Sequence, residues 1–427
     1  MRKILVTALL LALATVSLAQ QAPAAAAAAV PDDTAARLKA LEEKILVLEA
    51  EVKTLKEAQL PAAPSAAATS SSTEATAGAN PYPPPAPAQL QEQTQAGVIG
   101  GAPQNAKLLN PDISMIGDFI ATAGGNPFSP GPALEFHEAE LGIQAVIDPY
   151  AKGDFFISFG EHGVDLEEGY ITFTGLPKGF VARVGKMRSA FGVVNTLHNH
   201  VLPWIDRPLV TQNLVGGEDG VDDTGFSINR ILPAPKGIFV EATGQVFRGD
   251  SADVFQSHQR SDLSYVGRLR GYKDLTESTN LDIGFSYARG HNDLGTSFLT
   301  QLFGADVTLR WKPLRRAVYH NFLWRTEFFR SERQQLPTNQ HAFGFYSAAD
   351  YRLNRRWTVG GRFDRSDRAR SADLTDDGFS AVLTYWPSEF SQIRTQYRFT
   401  RFAEGKDANE LKVQLLFSLG AHGAHPF

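Results

Sequence analysis

Runs of roughly ten residues in which apolar and polar side chains alternate repeat from about residue 111 to residue 419. In the last run, Leu411 and Val413 alternate with Lys412 and Gln414. Successive side chains of a β-strand point to opposite faces, so each run predicts a strand with one apolar and one polar face. About sixteen such runs predict an all-β protein, a transmembrane antiparallel β-barrel of about 16 strands.

The connectors between these runs are expected to alternate in length. After even-numbered strands they are short and carry turn residues, as at Lys312-Pro313. After odd-numbered strands most are longer and more polar, as at 248–261 and 366–376. Because outer-membrane barrels have short periplasmic turns and longer extracellular loops, this order predicts a barrel whose two ends lie in the periplasm.

Residues 1–19 have the parts of a secretory signal peptide. Arg2 and Lys3 precede an apolar stretch, and small residues suited to cleavage follow at 17–19. The chain has no cysteine, and its formal net charge of −5 is too small to suggest a nucleic-acid partner. We therefore expect a protein exported to the outer membrane of a Gram-negative cell, with its N-terminal segment in the periplasm.

Residues 31–60 predict a short periplasmic α-helical coiled coil. Its apolar positions follow a heptad pattern, Leu38, Leu41, Ile45, Leu48, Val52 and Leu55. Such a seam predicts a homo-oligomer, and β-branched residues at a positions with leucine at d favour a dimer. The alternative is a lone amphipathic helix that packs on another surface.

Residues 61–106 are rich in alanine, proline and serine, which predicts a disordered linker. A plain tether is the simpler interpretation, and contact with the cell wall is the alternative. The barrel is then expected to occupy 107–427.

Charged residues fall at the polar positions of many predicted strands. We expect the following to line the pore: Asp118, Glu138, Glu140, Arg183, Arg268, Arg270, Arg310, Arg325, Arg362, Arg394 and Arg398. An arginine facing lipid at the midplane costs about 2–4 kcal/mol, so these residues predict a water-filled lumen. The acidic residues come first along the chain and the basic ones later, which predicts oppositely charged walls. The alternative to a selective function for these charges is that arginine–glutamate pairs only keep the wall rigid.

The longest predicted connector, 189–221, is too apolar for an ordinary surface loop. Long ordered loops are usually functional, so we expect this one to fold inward and narrow the pore, with His198, Asp206 and Arg207 at the constriction. The alternatives are a lid or a contact with a neighbouring subunit. Two histidines two residues apart, His198 and His200, are weak evidence for a metal site, and none is expected.

A short motif leads into this loop. It consists of Arg183-Val184-Gly185-Lys186-Met187-Arg188 followed by Phe191-Gly192. It resembles a motif of the phosphate-selective porin O/P group, in which a strand ending in a Gly-Lys or Gly-Gln basic stretch leads into a Phe-Gly loop. The signal peptide, coiled coil, linker and barrel also resemble that group. The resemblance implies a porin, commonly a trimer, in which basic residues select anions. Because Glu138 and Glu140 depart from such an anion filter, phosphate selectivity is not carried over.

The sequence thus predicts a porin that lets small hydrophilic solutes or ions diffuse passively across the outer membrane. Its expected partners are outer-membrane lipid, further copies of itself and the solutes. No catalytic residue is expected, because no Gly-x-Ser-x-Gly nucleophile motif stands out. No cofactor or metal is expected either. The alternative is a closed barrel that serves as an outer-membrane anchor or as a cell-wall tether through the coiled coil.

Overall fold

The computed structural model describes residues 111–161, 163–251 and 253–420. The signal peptide, coiled coil and linker predicted for the first 106 residues lie outside this part of the chain. Within it, no helix is long and apolar enough to cross a membrane.

The described chain forms sixteen strands. They are β1 (Asp112–Gly125), β2 (Leu134–Asp148), β3 (Ala151–Gly160), β4 (Gly163–Phe173), β5 (Phe180–Arg188), β6 (Asp222–Leu232), β7 (Ile238–Phe247), β8 (Ser264–Thr276), β9 (Thr279–Asn292), β10 (Gly295–Trp311), β11 (Phe322–Arg333), β12 (Gln340–Arg352), β13 (Trp357–Arg368), β14 (Ser371–Ser388), β15 (Ser391–Arg401) and β16 (Asp407–Gly420). One short helix, α1 (Leu209–Leu214), and the 3-10 turns Pro177–Gly179, Val194–Thr196 and Asn199–Val201 complete the elements.

The strands form a single closed ring. Each strand pairs antiparallel with its neighbours in the chain, and β1 pairs with β16, so that Phe119 lies opposite Leu415. Closure leaves no strand edge unpaired, which satisfies the backbone hydrogen-bonding groups without help from solvent. The predicted all-β antiparallel barrel of about 16 strands is confirmed.

Side chains alternate between an exposed outer surface and a buried interior. Along β16, Leu411, Val413 and Leu415 are exposed, whereas Gln414 and Leu416 at the alternate positions are buried. Most of the large exposed side chains on the strands are apolar, and most of the buried charged side chains lie at the alternate positions. The ring therefore has an apolar outer surface and a polar inner surface, as the alternation predicts.

The connector between β13 and β14 is shorter than predicted. The polar stretch 366–376 was expected to be a loop, but most of it continues the two strands and the turn is confined to 369–370. Arg368 donates two hydrogen bonds of 2.9 Å to Asp376 on the facing strand. Cross-strand pairs of opposite charge stabilise a hairpin, and a pattern based on apolar alternation does not detect them.

The connector after β10 is longer than predicted. Lys312-Pro313 begins a connector that spans 312–321, and β11 starts only at Phe322. Connector lengths therefore do not alternate strictly between the two ends of the barrel. The longest connector of the described chain, 189–221, nevertheless follows an odd-numbered strand, as predicted.

Two β-bulges change the direction of neighbouring side chains. Asp118 lies opposite Glu138 while Phe119 lies opposite Phe136, so His137 is an extra residue on β2. A second bulge, on β4, makes Glu167 an extra residue in the same way. A bulge sets two residues against one on the partner strand and redirects their side chains, which affects the acidic part of the interior.

We expect Phe285→Arg to reduce stability strongly, because Phe285 is 59% exposed near the middle of β9. On a lipid-facing surface the change should lower the free energy of unfolding by about 2–4 kcal/mol, measured by denaturant titration in lipid vesicles. Glu277→Arg, in the β8–β9 turn, is the control and should change it by less than about 0.5 kcal/mol. Equal effects would mean that Phe285 does not face lipid.

Candidate functional site

The connector 189–221, which we call the inner loop, lies inside the ring. His198 contacts Glu140 on β2, Val193 bonds to Glu327 on β11, and Asp206 pairs with Arg398 on β15. Of these strands, β2 and β11 lie seven strands apart around the closed ring of sixteen. A segment that touches all of them must cross the interior.

The inner loop enters the ring at Phe191-Gly192. The Glu327 carboxylate accepts hydrogen bonds from the backbone N–H groups of Val193, at 2.7 Å, and Val194, at 3.0 Å. Gly192 has a φ of 67°, and a Cβ there would lie 2.2 Å from Glu327 Oε2. Only glycine suits both the left-handed backbone and this close approach. The sequence shows the Phe-Gly motif but does not indicate that Glu327 anchors it.

A group of buried titratable side chains lies further along the loop. We call these side chains the His198 cluster: His198, His200, Glu138, Glu140, Glu167 and Glu168. His198 Nδ1 lies 2.8 Å from Glu140 Oε2 and 3.0 Å from Glu167 Oε2, and its Nε2 lies 2.8 Å from Glu168 Oε2. Burial alone would lower the pKa of His198, but its hydrogen bonds with these glutamates raise the pKa well above the ordinary value.

The bulge on β4 makes this arrangement possible, because it lets the adjacent residues Glu167 and Glu168 both reach His198. Regular alternation would place one of the two on the outer surface. The sequence predicts Glu140 and His198 as site residues separately, and the structure brings them together. It does not predict Glu167 as a member of the site, since bulges leave no clear signal in an alternating pattern.

A second charged group holds the loop against β13 and β15. Asp206 Oδ2 lies 3.0 Å from Arg362 Nη2 and 3.0 Å from Arg398 Nη1. Arg362 Nε also donates to Asp364 Oδ2 at 2.7 Å. Burial alone would raise the pKa of Asp206, but Arg362 and Arg398 outweigh that effect and lower it. Three of the predicted site residues thus form one buried ion-pair network.

Arg207 and Arg394 support the loop through its backbone carbonyls. Arg207 donates to the carbonyls of Val194, at 3.0 Å, and Leu197, at 2.7 Å. Burial, with the nearby positive charge of Arg188, lowers the pKa of Arg207 to about 9. Arg394 donates to the carbonyl of Trp204 at 3.2 Å. Arg207 therefore fixes the shape of the loop from within.

Apolar contacts complete the attachment. Trp204 is fully buried, its ring lies against Tyr346, and the Arg362 guanidinium stacks over it at 4.8 Å. Phe191 packs against Phe329 of the wall with ring centroids 5.1 Å apart. These contacts explain why the loop sequence is too apolar for a surface loop: its side chains are buried against apolar wall residues.

The remaining predicted residues lie on the strands of the wall. Asp118 is buried and accepts a hydrogen bond from Gln414 at 2.9 Å. Arg268 pairs with Asp306 at 2.9 Å, and Arg270 pairs with Asp282.

Within the described chain, Arg183 and Arg325 form no ion pair with a carboxylate, and Arg310 shares its partner with Arg270. Arg310 is 29% exposed and lies 3.7 Å from Asp282, which already pairs with Arg270. Arg183 and Arg325 are partly exposed. Arg183 stacks over the Tyr170 ring at 5.1 Å.

No family model matches the sequence. An uncharacterised protein of Aquifex aeolicus (strain VF5) is 28% identical in an alignment of 390 positions that covers 76% of this chain and 82% of that protein. Among solved structures, OprB of Pseudomonas putida in its high-pH form gives a TM-score of 0.51 at 9% identity, over 74% of this chain and 95% of that chain. The outer membrane channel DcaP of Acinetobacter baumannii gives 0.49 at 12% identity, over 73% of this chain and 96% of that chain.

The likeness to OprB concerns the fold alone. Together with the closed ring of sixteen strands, it defines the fold as a sixteen-stranded antiparallel β-barrel similar to that of OprB. The resemblance to the phosphate-selective porin O/P group stays a prediction.

We expect Asp206→Asn to destabilise the barrel, because it leaves Arg362 and Arg398 buried with less negative charge nearby. Breaking a buried ion pair from one side costs about 3–5 kcal/mol, which denaturant titration would detect. The inner loop should also become more sensitive to added protease. Asp253→Asn, at a 93% exposed side chain, is the control, and an equal effect in both variants would contradict the role of Asp206.

Proposed function

We propose that the protein is a passive channel in the outer membrane for small hydrophilic solutes or ions. The observation that carries this proposal is the closed ring of sixteen strands with polar side chains on its inner surface. An eight-stranded barrel is filled by its own side chains, whereas sixteen strands enclose a wider space. The apolar outer surface suits contact with outer-membrane lipid.

In this proposal the inner loop narrows the channel. This narrowing role is supported by the three separate anchors of the loop, at Glu327, the His198 cluster and Asp206. A loop held at several points around the ring keeps a fixed shape, so it can set a defined cross-section. The pore-lining role of the charged wall residues belongs to the same proposal.

We also propose that the channel prefers anions. The glutamates of β2 and β4 that meet the loop are buried and contact histidine, as Glu140 and Glu168 do. By contrast, Arg183, Arg310 and Arg325 are partly exposed and have no close carboxylate of their own. Charged side chains that remain accessible to water set the ion preference of a pore.

The second candidate function is a closed anchor. It is favoured by the extent to which the loop packs against the wall, with Phe191, Leu202 and Trp204 all buried. A ring filled in this way would conduct no solute and would hold a segment in the membrane. In this role the predicted coiled coil would act as a tether. The homo-oligomer predicted from the same heptads would belong to the same role.

Planar-bilayer recording of the purified protein distinguishes the two candidates. We expect stepwise conductance, and larger steps for Trp204→Ala because the loop loses its main apolar contact with the wall. Leu336→Ala, at an exposed position outside the strands, is the control and should not change the step size. Folded protein without conductance would overturn the channel proposal and support the anchor.

The reversal potential in a salt gradient tests the ion preference. The wild-type channel should favour chloride over potassium, and the double variant Arg310→Gln/Arg325→Gln should shift the reversal potential toward zero. Arg289→Gln, on the exposed face of β9, removes the same charge elsewhere and should leave the potential unchanged. Cation preference in the wild type would contradict the proposal.

A further inference from the structure

We propose that the His198 cluster binds one divalent transition-metal ion, with His198, Glu140 and Glu167 as protein ligands. One donor atom from each of these residues lies within 4.8 Å of the others, and all three side chains are buried. The three residues come from the inner loop, β2 and β4. A bound ion would therefore join the loop to two separate strands.

The distances between donor atoms suit a small ion. His198 Nδ1 lies 2.8 Å from Glu140 Oε2 and 3.0 Å from Glu167 Oε2. Ligands at about 2.0–2.1 Å in a tetrahedral site are about 3.4 Å apart. His198 Nδ1 would therefore need to move about 0.4–0.6 Å further from each of these carboxylate oxygens to admit the ion.

Glu168 is placed to orient the ligating histidine. Its Oε2 lies 2.8 Å from His198 Nε2, while its Oε1 accepts a hydrogen bond from the backbone N–H of Arg188 at 2.8 Å. A neutral imidazole that donates its Nε2–H to Glu168 directs the Nδ1 lone pair toward Glu140 and Glu167. A carboxylate that binds the distal N–H of a metal-ligating histidine fixes its tautomer and strengthens the ligand.

The buried charge of the cluster also calls for a cation. Glu138, Glu140, Glu167 and Glu168 are buried together, and Arg188 is the only arginine or lysine paired with them in the described chain. Buried charges are costly unless they are paired or coordinate metals. The negative charge left over must be balanced by protons on the two histidines or by a metal ion.

Glu138 provides an independent observation. Glu138 is buried, with 8% of the residue exposed, and its Oε1 accepts no hydrogen bond. This oxygen lies 3.9 Å from His200 Nδ1, which in turn lies 3.4 Å from Glu140 Oε2. This oxygen therefore borders the cluster beside His200, where a water bound to the metal ion would give it a hydrogen-bond donor.

The donor set selects the class of metal. Imidazole nitrogen with carboxylate oxygen suits zinc and neighbouring transition metals, whereas calcium and magnesium prefer sites built from oxygen alone. Zinc is therefore the probe of choice. Its expected effect is to fasten the inner loop to β2 and β4.

The test uses the full chain, folded in detergent, stripped with a chelator and dialysed. All variants carry His422→Ala and His425→Ala, so that the histidines of the C-terminal tail do not bind the probe. Calorimetric titration with zinc chloride and elemental analysis should give one zinc ion per chain. X-ray absorption should show nitrogen and oxygen ligands with the scattering of an imidazole ring.

Single substitutions then locate the site. His198→Gln and Glu167→Gln should abolish stoichiometric binding, and Glu168→Gln should weaken it by about 10–100-fold because it removes the orienting carboxylate. His341→Gln is the matched control, since His341 is an exposed histidine 3.9 Å from Glu332. Circular dichroism confirms folding, and Glu168→Gln decides the question if the ligand variants do not fold. Absence of zinc binding in the folded parent, or equal binding in the site variants and the control, would overturn the proposal.

Discussion

Pairing of β1 with β16 is the constraint on which the rest of the structure depends. Once the ring closes, no strand edge is left, and the sixteen strands set the width of the interior. That interior is too wide for wall side chains alone to fill. The longest connector of the described chain, the inner loop, fills part of this space. The size of the ring is therefore one reason why the inner loop lies inside it.

The inner loop carries charges that complement the walls it meets. Its histidine His198 faces the glutamates of β2 and β4, and its Asp206 faces Arg362 and Arg398 on β13 and β15. Each contact buries charge that would be costly if unpaired. The loop thus neutralises the acidic wall on one side and part of the basic wall on the other, and its position in the ring is specified by charge as well as by apolar packing.

Sequence reasoning succeeded where the period of two decides the outcome. The alternation of Leu411 and Val413 with Gln414 predicted the strand and its two faces, and the apolar character of the loop predicted burial. It failed where polar residues pair across strands, as Arg368 does with Asp376. It could not place Glu167, because a bulge shifts the alternation by one residue and is set by the partner strand.

The ion pairs of the inner loop limit the transverse electric field that the two predicted charged walls can produce across the interior. A transverse field needs charges that remain unpaired and in contact with water, and the glutamates facing the loop do not meet that condition. Arg183 and Arg325 do meet it, since both are partly exposed and pair with no carboxylate of the described chain. In the proposed channel the field is therefore expected to come from these arginines, whereas the inner loop is held by the ion pairs of His198 and Asp206.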